Sequence, residues 1–530
     1  MLTTTIDVLS MMPARLALLA AIPTVLALRP PLRPAPPRAL PTLQANAAEL
    51  LAEGNACYVN GDLDGAGDSY GACVDSGEWP VVCDCAANLG SVALDRDDPE
   101  EAERLYRFAV DAAAAPPAGA LDGAGFFHAD AAQNLASLLQ GRGGQDRTRE
   151  AAHLYRDVVR ADASRWDAWA NLGAALVDTG APKLDAVKCF QRGIRAAEAV
   201  ERDEASPPQL VEGIRGSLAD MYFGLGTALA DLDDLDRAAA YDDGEILLTA
   251  YDERVDLYDG TQADADAAIA ETAANALRAA VDLRGGDFPL AAHALDALAA
   301  RDDALAAPGR ASPAFVRALF DDFAPTFDAQ LVDTLRYRAP EMVAAAAGDR
   351  VVGARDGAPY GATLDAGCGT GLLGPPLREF VDGPLVGADL SGNMVELARD
   401  VAINGTPVYD ALAVGDLTDI GLYANLSAGP YDLVAAADVL VYFGVLDEVL
   451  AIWADHLAPG GDVIFTCERM LGDGGDWVLG PSGRYAHRPE YVEAAAAAAG
   501  LALVSATDVV PRVENGEDVP GTLYVLTTAL

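Results

Sequence analysis

Thr363-Leu-Asp-Ala-Gly-Cys-Gly-Thr-Gly-Leu-Leu-Gly374 decides how the second half of this chain folds. A short apolar run ends in glycines at 367, 369 and 371. Without side chains in the way, a strand can turn tightly there into a helix and let a ligand approach the backbone. Outward from this turn, apolar or β-branched runs recur at 362–367, 384–390, 406–417, 431–440, 462–467, 501–510 and 522–528, most of them separated by helical segments. Strands alternating with helices predict an open, mainly parallel, doubly wound sheet that binds its ligand outside the carboxyl ends of the strands.

The ends of successive runs carry acids. The second closes as Val386-Gly-Ala-Asp389-Leu390-Ser-Gly-Asn-Met394, the third as Ala413-Val-Gly-Asp416-Leu417, and the fourth carries Asp438 ahead of Tyr442. An acid at the tip of the second strand can accept hydrogen bonds from both hydroxyls of a ribose. Nicotinamide and flavin enzymes place G-x-G-x-x-G at the same turn, and Asp389 serves either kind of cofactor. The discrimination rests on Asp416 and on the spacing here, G-x-G-x-G after Asp365. That pattern, D-x-G-x-G-x-G, resembles motif I of class I S-adenosylmethionine-dependent methyltransferases. The resemblance implies a cofactor loop of Asp365, Gly367, Cys368, Gly369 and Gly371, with Asp389 on the ribose and Leu390 and Met394 flanking the adenine. It also implies Asp416, followed by Leu417, on the adenine amino group, and Asp438 beneath the reacting methyl group.

Two flanking stretches narrow the family. Phe320-Asp-Asp-Phe-Ala-Pro-Thr-Phe327 precedes the fold, and Arg484-Tyr485-Ala-His487 comes near its end. Together with the repeats described next, they resemble tetratricopeptide-repeat methyltransferases related to the ubiquinone/menaquinone methyltransferase group. This implies a lid contributing Phe320 and Phe327 to the cofactor site, and an acceptor-facing segment at 484–487. An acceptor that must lose a proton needs a base, for which His487, Tyr485, Tyr442 and Asp438 are the candidates.

Residues 47–300 are rich in alanine and helical in period. Asn88-Leu89-Gly90 is followed by Ala102, Tyr106 and Ala109, at offsets of 12, 16 and 19 from the glycine. Gly54, Ala66, Tyr70 and Cys73 repeat those offsets, while Gly173, Ala186, Phe190 and Gly193 run one residue late. Leu135-Ala136 with Ala151, Tyr155 and Val158 carries an insertion, and Leu225-Gly226 with Ala238 is a degraded copy. A glycine on the first helix of a hairpin permits close approach, the small residue seats the second helix, and the aromatic fills the gap. The pattern resembles tetratricopeptide repeats, which stack into a solenoid able to grip a protein partner. Trp166 and Trp169 are read as packing between helices rather than as a binding hot spot.

The chain carries 36 Lys+Arg against 81 Asp+Glu, a net charge of −45, which repels nucleic acid and anionic membrane surfaces. Seven cysteines, odd in number and within apolar patterns, read as reduced thiols rather than a disulfide framework, and no spacing suggests a metal. Residues 1–46 contain a short apolar run and a basic, Pro-rich stretch with no acid between Asp7 and Glu49. They read as a removable presequence resembling the two-part plastid type, with mitochondrial, secretory or cytoplasmic destinations as alternatives. No other stretch is apolar enough to span a membrane.

The expected plan is thus a presequence at 1–46, tetratricopeptide-like helical repeats at 47–300, and a Rossmann-like, seven-stranded methyltransferase fold at 312–530, an α plus α/β chain. The expected function is S-adenosylmethionine-dependent methyl transfer to a small-molecule or protein acceptor, with the repeats available to a protein partner. The alternative is a repeat scaffold with a catalytically silent domain.

Overall fold

The computed structural model describes residues 46–115, 125–203, 208–232, 262–302, 307–323, 336–426, 429–471, 475–514 and 517–529. The presequence reading falls outside them, apart from Asn46. Packing divides the chain into two compact units that meet in sequence between Arg284 and Gly285. No helix of the described residues is long and apolar enough to cross a membrane.

The first unit is an array of helical hairpins. Helices α1 (Ala47–Val59) and α2 (Leu63–Ser76) form one, α3 (Val81–Asp95) and α4 (Pro99–Ala114) the next, followed by α5 (Ala129–Gly141) with α6 (Gln145–Ala161). Then come α7 (Trp166–Asp178) with α8 (Lys183–Arg202), and α9 (Pro208–Ala230) with α10 (Gln262–Leu283). Local sequence sets the starts. Asn46 and Glu49 form a capping box on α1, while Asp62 and Asp98 accept from backbone N–H groups at the starts of α2 and α4. Each helix packs on the next in sequence, and α1, α3, α5, α7 and α9 also pack on one another in a row.

The repeat offsets have a direct steric cause. A Cβ added at Gly54, Gly90 or Gly173 would lie 2.4, 2.8 or 2.8 Å from the ring of Tyr70, Tyr106 or Phe190. Ala66, Ala102, Ala151 and Ala186, the small residues of the second helices, are buried. The residue after Gly54, Gly90 or Ala136 on the first helix satisfies the tyrosine hydroxyl: Tyr70 Oη donates to Asn55 at 2.7 Å, and Tyr106 and Tyr155 pair with Ser91 at 3.0 Å and Ser137 at 2.9 Å. Where Phe190 replaces tyrosine, Ala174 stands at that place. Gly226 faces Leu277 of α10; Ala238, read as part of the degraded copy, lies outside the described residues.

Gly90→Val should overpack the α3–α4 contact and cost roughly 1–3 kcal/mol in chemical denaturation. Gly71 has nothing within 4 Å of an added Cβ, so Gly71→Ala should instead stabilise α2, by about 0.5–1 kcal/mol. Equal effects from the two substitutions would remove the close-approach explanation.

The cysteines correct the reading of reduced thiols throughout. Cys73 near the end of α2 and Cys85 in the first turns of α3 form a disulfide, with Cα atoms 6.1 Å apart. The turn at 77–80 folds α3 back along α2, bringing the two within bridging range. Trp169 is buried, donates from Nε1 to the Ala163 carbonyl at 3.0 Å and lies under Arg192, as packing requires.

The second unit opens with α11 (Pro289–Asp302), α12 (Pro313–Phe323) and α13 (Ala339–Ala354). The sheet follows: β1 (Thr363–Ala366), α14 (Gly374–Arg378), β2 (Leu385–Asp389), α15 (Gly392–Arg399), β3 (Ala402–Ile403), β4 (Thr406–Pro407), β5 (Ala411–Val414), α16 (Ile420–Leu426) and β6 (Tyr431–Ala436). It continues through α17 (Asp447–His456), β7 (Leu457–Arg469), β8 (Trp477–Leu479), β9 (Tyr485–His487), α18 (Pro489–Ala498), β10 (Leu501–Val509), β11 (Val513–Glu514), β12 (Glu517–Asp518) and β13 (Gly521–Thr528). The order is β10-β13-β7-β6-β1-β2-β5, with β5, β2, β1, β6 and β7 parallel and β13 antiparallel to both neighbours. β8 and β9 pair beside β7 off this seven-strand path, which makes nine strands among the described residues.

The usual dinucleotide-fold order, 3-2-1-4-5-6, has no antiparallel strand inserted as β13 is here. The run at 406–417 is split. Asn404 and Gly405, both at positive φ, turn β3 into β4, and just ahead of β5 the Asp410 carboxylate accepts from Leu385 N and Arg378. Leu433 and Ala435 of β6 pack with Leu385, Ile464, Leu377 and Val343 in the core that anchors the strand ends.

Candidate functional site

The motif loop leaves the carboxyl end of β1. Gly367 sits at φ +78, where a Cβ would lie 2.4 Å from Val439, and its N–H and that of Cys368 donate to the Ala388 carbonyl. Gly371, at φ +93, answers to a different need: its missing Cβ makes room for Val401 and Tyr409.

Asp389, at the tip of β2, accepts from Gly369 N and Ser391 N, both at 2.9 Å. Each carboxylate oxygen takes one of these bonds and keeps a second lone pair. Beyond β5, Asp416 accepts from Thr418 N at 2.9 Å, Thr418 Oγ1 at 2.8 Å and Arg310 Nη2 at 3.0 Å. Burial works against its charge, but the bonds from Thr418 and Arg310 outweigh it and hold the carboxyl below its usual range. Asp365 is buried and pushed up to about 7 by that burial, although the Tyr409 hydroxyl donates to it at 2.6 Å. Burial likewise raises Asp389.

These groups surround one cavity of about 160 Å³ at the carboxyl ends of β1, β2, β5 and β6. Asp365, Gly367, Cys368, Gly369, Asp389, Leu390, Asp416, Leu417, Asp438, Tyr442 and Phe320 line it. α12 supplies Val316, Leu319 and Phe320, and Asp321 ties it to the start of α15 by bonds from Ser391 Oγ at 2.5 Å and Asn393 Nδ2 at 2.9 Å.

Residues 363–461 match the family model described as a methyltransferase domain. This segment is a methyltransferase domain. The chain is also similar to solved structures. An S-adenosylmethionine-dependent methyltransferase from Clostridium acetobutylicum is 18% identical, with a TM-score of 0.29, over 40% of this chain and 99% of the other. One from Mesorhizobium loti is 16% identical, with a TM-score of 0.26, over 32% and 91%. The [4+2]-cyclase SpnF is 18% identical, with a TM-score of 0.29, over 36% and 80%. No curated protein matches the chain significantly.

The methyltransferase cavity fits S-adenosylmethionine on its own chemistry. Asp389 offers two unused lone pairs to a ribose diol, and Asp416 Oδ2, which takes only Arg310, keeps one for an amino group. Acids at 365, 389 and 416 suit a sulfonium cation and would repel a pyrophosphate. The arginines on the lining, Arg310, Arg484 and Arg512, are all ion-paired.

The remaining expected residues lie elsewhere. Gly371 and the buried Met394 do not reach the lining, and Phe327 lies outside the described residues. Tyr485 and His487 are buried away from the cavity: Tyr485 Oη donates to the Pro308 carbonyl at 2.8 Å, and His487 Nε2 bonds the Phe443 carbonyl at 2.7 Å. Burial lowers the His487 imidazole to about 4. An unfolded histidine binds its proton near pH 6.5, so stability from neutral His487 is complete above that pH and falls as pH drops toward 4, by about 3 kcal/mol in all. Urea midpoints at pH 7.5 and 4.5 should therefore converge in His487→Gln; an unchanged difference would exclude His487 as the cause.

Arg310 and Arg512 were not singled out in the sequence. Each is a cation in a chain short of cations, Arg310 beside Pro308-Gly309 and Arg512 between Pro511 and Val513. That scarcity was the one available signal.

Proposed function

We propose that this protein is an S-adenosylmethionine-dependent methyltransferase acting on a small-molecule or protein acceptor, with its helical repeats available to a protein partner. The observation that carries the reading is the set of strand-end carboxylates, Asp389 and Asp416, fixed by backbone and arginine yet keeping unused lone pairs around one cavity. When bound, the cofactor supplies an electrophilic methyl carbon. The chain's own groups then have to align the acceptor, exclude water and hold a proton where the acceptor must lose one. Asp438, Tyr442 and Arg484 line the cavity, which supports Asp438 or Tyr442 for that last task.

The steric fit of Gly54, Gly90 and Gly173 to their aromatics supports a tetratricopeptide-like reading of the array. Relation to the ubiquinone/menaquinone group, and a plastid presequence at 1–46, rest on the sequence patterns alone.

Calorimetric titration of the full chain with S-adenosylmethionine tests the reading, beside Gly369→Arg, which puts a long side chain at φ +53 on the cavity wall. Saturable binding in the wild type, lost in the variant, is expected. A folded wild-type chain that binds no cofactor would leave the repeat scaffold as the better account.

A further inference from the structure

The floor of the cavity holds an ion network that the cofactor-binding groups do not use. Arg512, 1% exposed, donates from Nε to Glu514 at 2.7 Å, from Nη1 to Asp438 at 2.5 Å and from Nη2 to Glu468. Arg484 pairs with the same Glu514. Three carboxylates thus face two guanidinium groups, leaving one negative charge in excess, with one bond from Arg512 to each of the three.

Asp438 belongs to this network and also lines the cavity. Its backbone sits at φ +59, a left-handed conformation costly for a residue with a Cβ, and its N–H is pinned to Thr466 Oγ1 at 2.9 Å. Such strain persists where the surroundings over-determine it, commonly at functional sites. Arg512 holds Oδ2, whereas Oδ1 is buried with no hydrogen-bond partner. Among the described residues on the lining, Asp438 Oδ1 is the only buried acceptor in that state.

Resting on the methyltransferase reading, we propose that Asp438 Oδ1 is the anchor for the methyl acceptor, and that the acceptor presents an amine or hydroxyl rather than a carboxylate. A donor satisfies an oxygen that is otherwise costly to bury. A protonated amine also cancels the excess charge. A second anion would deepen that excess beside Arg484 and Arg512, whose two charges already face Asp438, Glu468 and Glu514. Val316, Leu319, Phe320 and Val441 give the cavity an apolar wall, so the donor sits on an apolar or aromatic body.

Three probes sharing one ring test this: benzylamine, benzyl alcohol and benzoate, titrated by saturation-transfer NMR against the full chain with and without S-adenosylhomocysteine. The amine or the alcohol should bind at least tenfold more tightly than benzoate. A preference for the amine marks an ammonium acceptor, and parity between amine and alcohol marks a neutral hydroxyl. Asp438→Asn should erase the discrimination while leaving S-adenosylhomocysteine affinity within threefold. Asp438→Asn also removes a charge from Arg512, so the wild-type preference is the measurement that needs no variant. Benzoate binding as well as the amine and alcohol, or no probe binding, overturns the proposal. A tenfold loss of S-adenosylhomocysteine affinity in Asp438→Asn overturns it too, because Asp438 would then hold the cofactor. Failure of the wild type to bind S-adenosylhomocysteine strikes the methyltransferase reading instead, and the unloaded titration still reports whether the donor preference exists.

Discussion

Asp389→Ala is expected to weaken S-adenosylmethionine binding by roughly 10²- to 10⁴-fold, the equivalent of two charge-assisted hydrogen bonds worth about 1.5–3 kcal/mol each. The carboxylate accepts from Gly369 N and Ser391 N, and those bonds aim its remaining lone pairs. Alanine removes the ribose acceptors and also releases the motif loop from the end of β2, so lost orientation adds to lost contact. Asp389→Asn keeps one acceptor oxygen and should fall between the two. Calorimetry on chains with matched thermal midpoints checks the order wild type, asparagine, alanine. An alanine variant within threefold of wild type would remove Asp389 from the cofactor site.

The largest effect on stability should come from the opposite end of the sheet. Asp462, fully buried near the start of the parallel part of β7, accepts from Arg350 Nη2 at 2.9 Å, Arg350 Nε at 3.1 Å and Tyr360 Oη at 2.7 Å. Asp462→Ala leaves a mostly buried guanidinium and a buried phenol without their acceptor, a loss of about 3–5 kcal/mol. For a unit of this size that is a fall in midpoint of roughly 10 °C. Arg350→Met on top of it should recover part of the loss, because the stranded charge goes with it. Cofactor affinity measured well below the transition should not change, since Asp462 does not line the cavity. A single-variant shift under 2 °C would mean that solvent reaches Arg350 and the pair contributes little.

What could be read from the sequence was local. Gly90 and Tyr106 sit on two helices joined by a short turn, so their contact recurs at a fixed offset, and three copies make it visible. Asp365, Asp389 and Asp416 lie at or just past the ends of their own strands, and once a parallel sheet is granted every strand end faces the same side. The segment 484–487 shows the limit of such reading. Its polar residues were expected together at the acceptor, but in β9 alternate side chains point to opposite faces, and Arg484 reaches the cavity while His487 turns to the Phe443 carbonyl.

The sequence by itself therefore determined the helical hairpins, the glycine loop, the acids at the strand ends and the methyltransferase class they imply, because each follows from residues close in the chain. Tertiary structure alone decided the rest. Arg310 reaches Asp416 across 106 residues, Arg512 reaches Asp438 across 74, and Cys73 meets Cys85 only because one helix folds back on another. Those pairings depend on which strand lies beside which and on where a turn sends the chain, and no spacing encodes either. The charge left in excess around Asp438, on which the choice of acceptor rests, is a sum over side chains that only the folded sheet brings together.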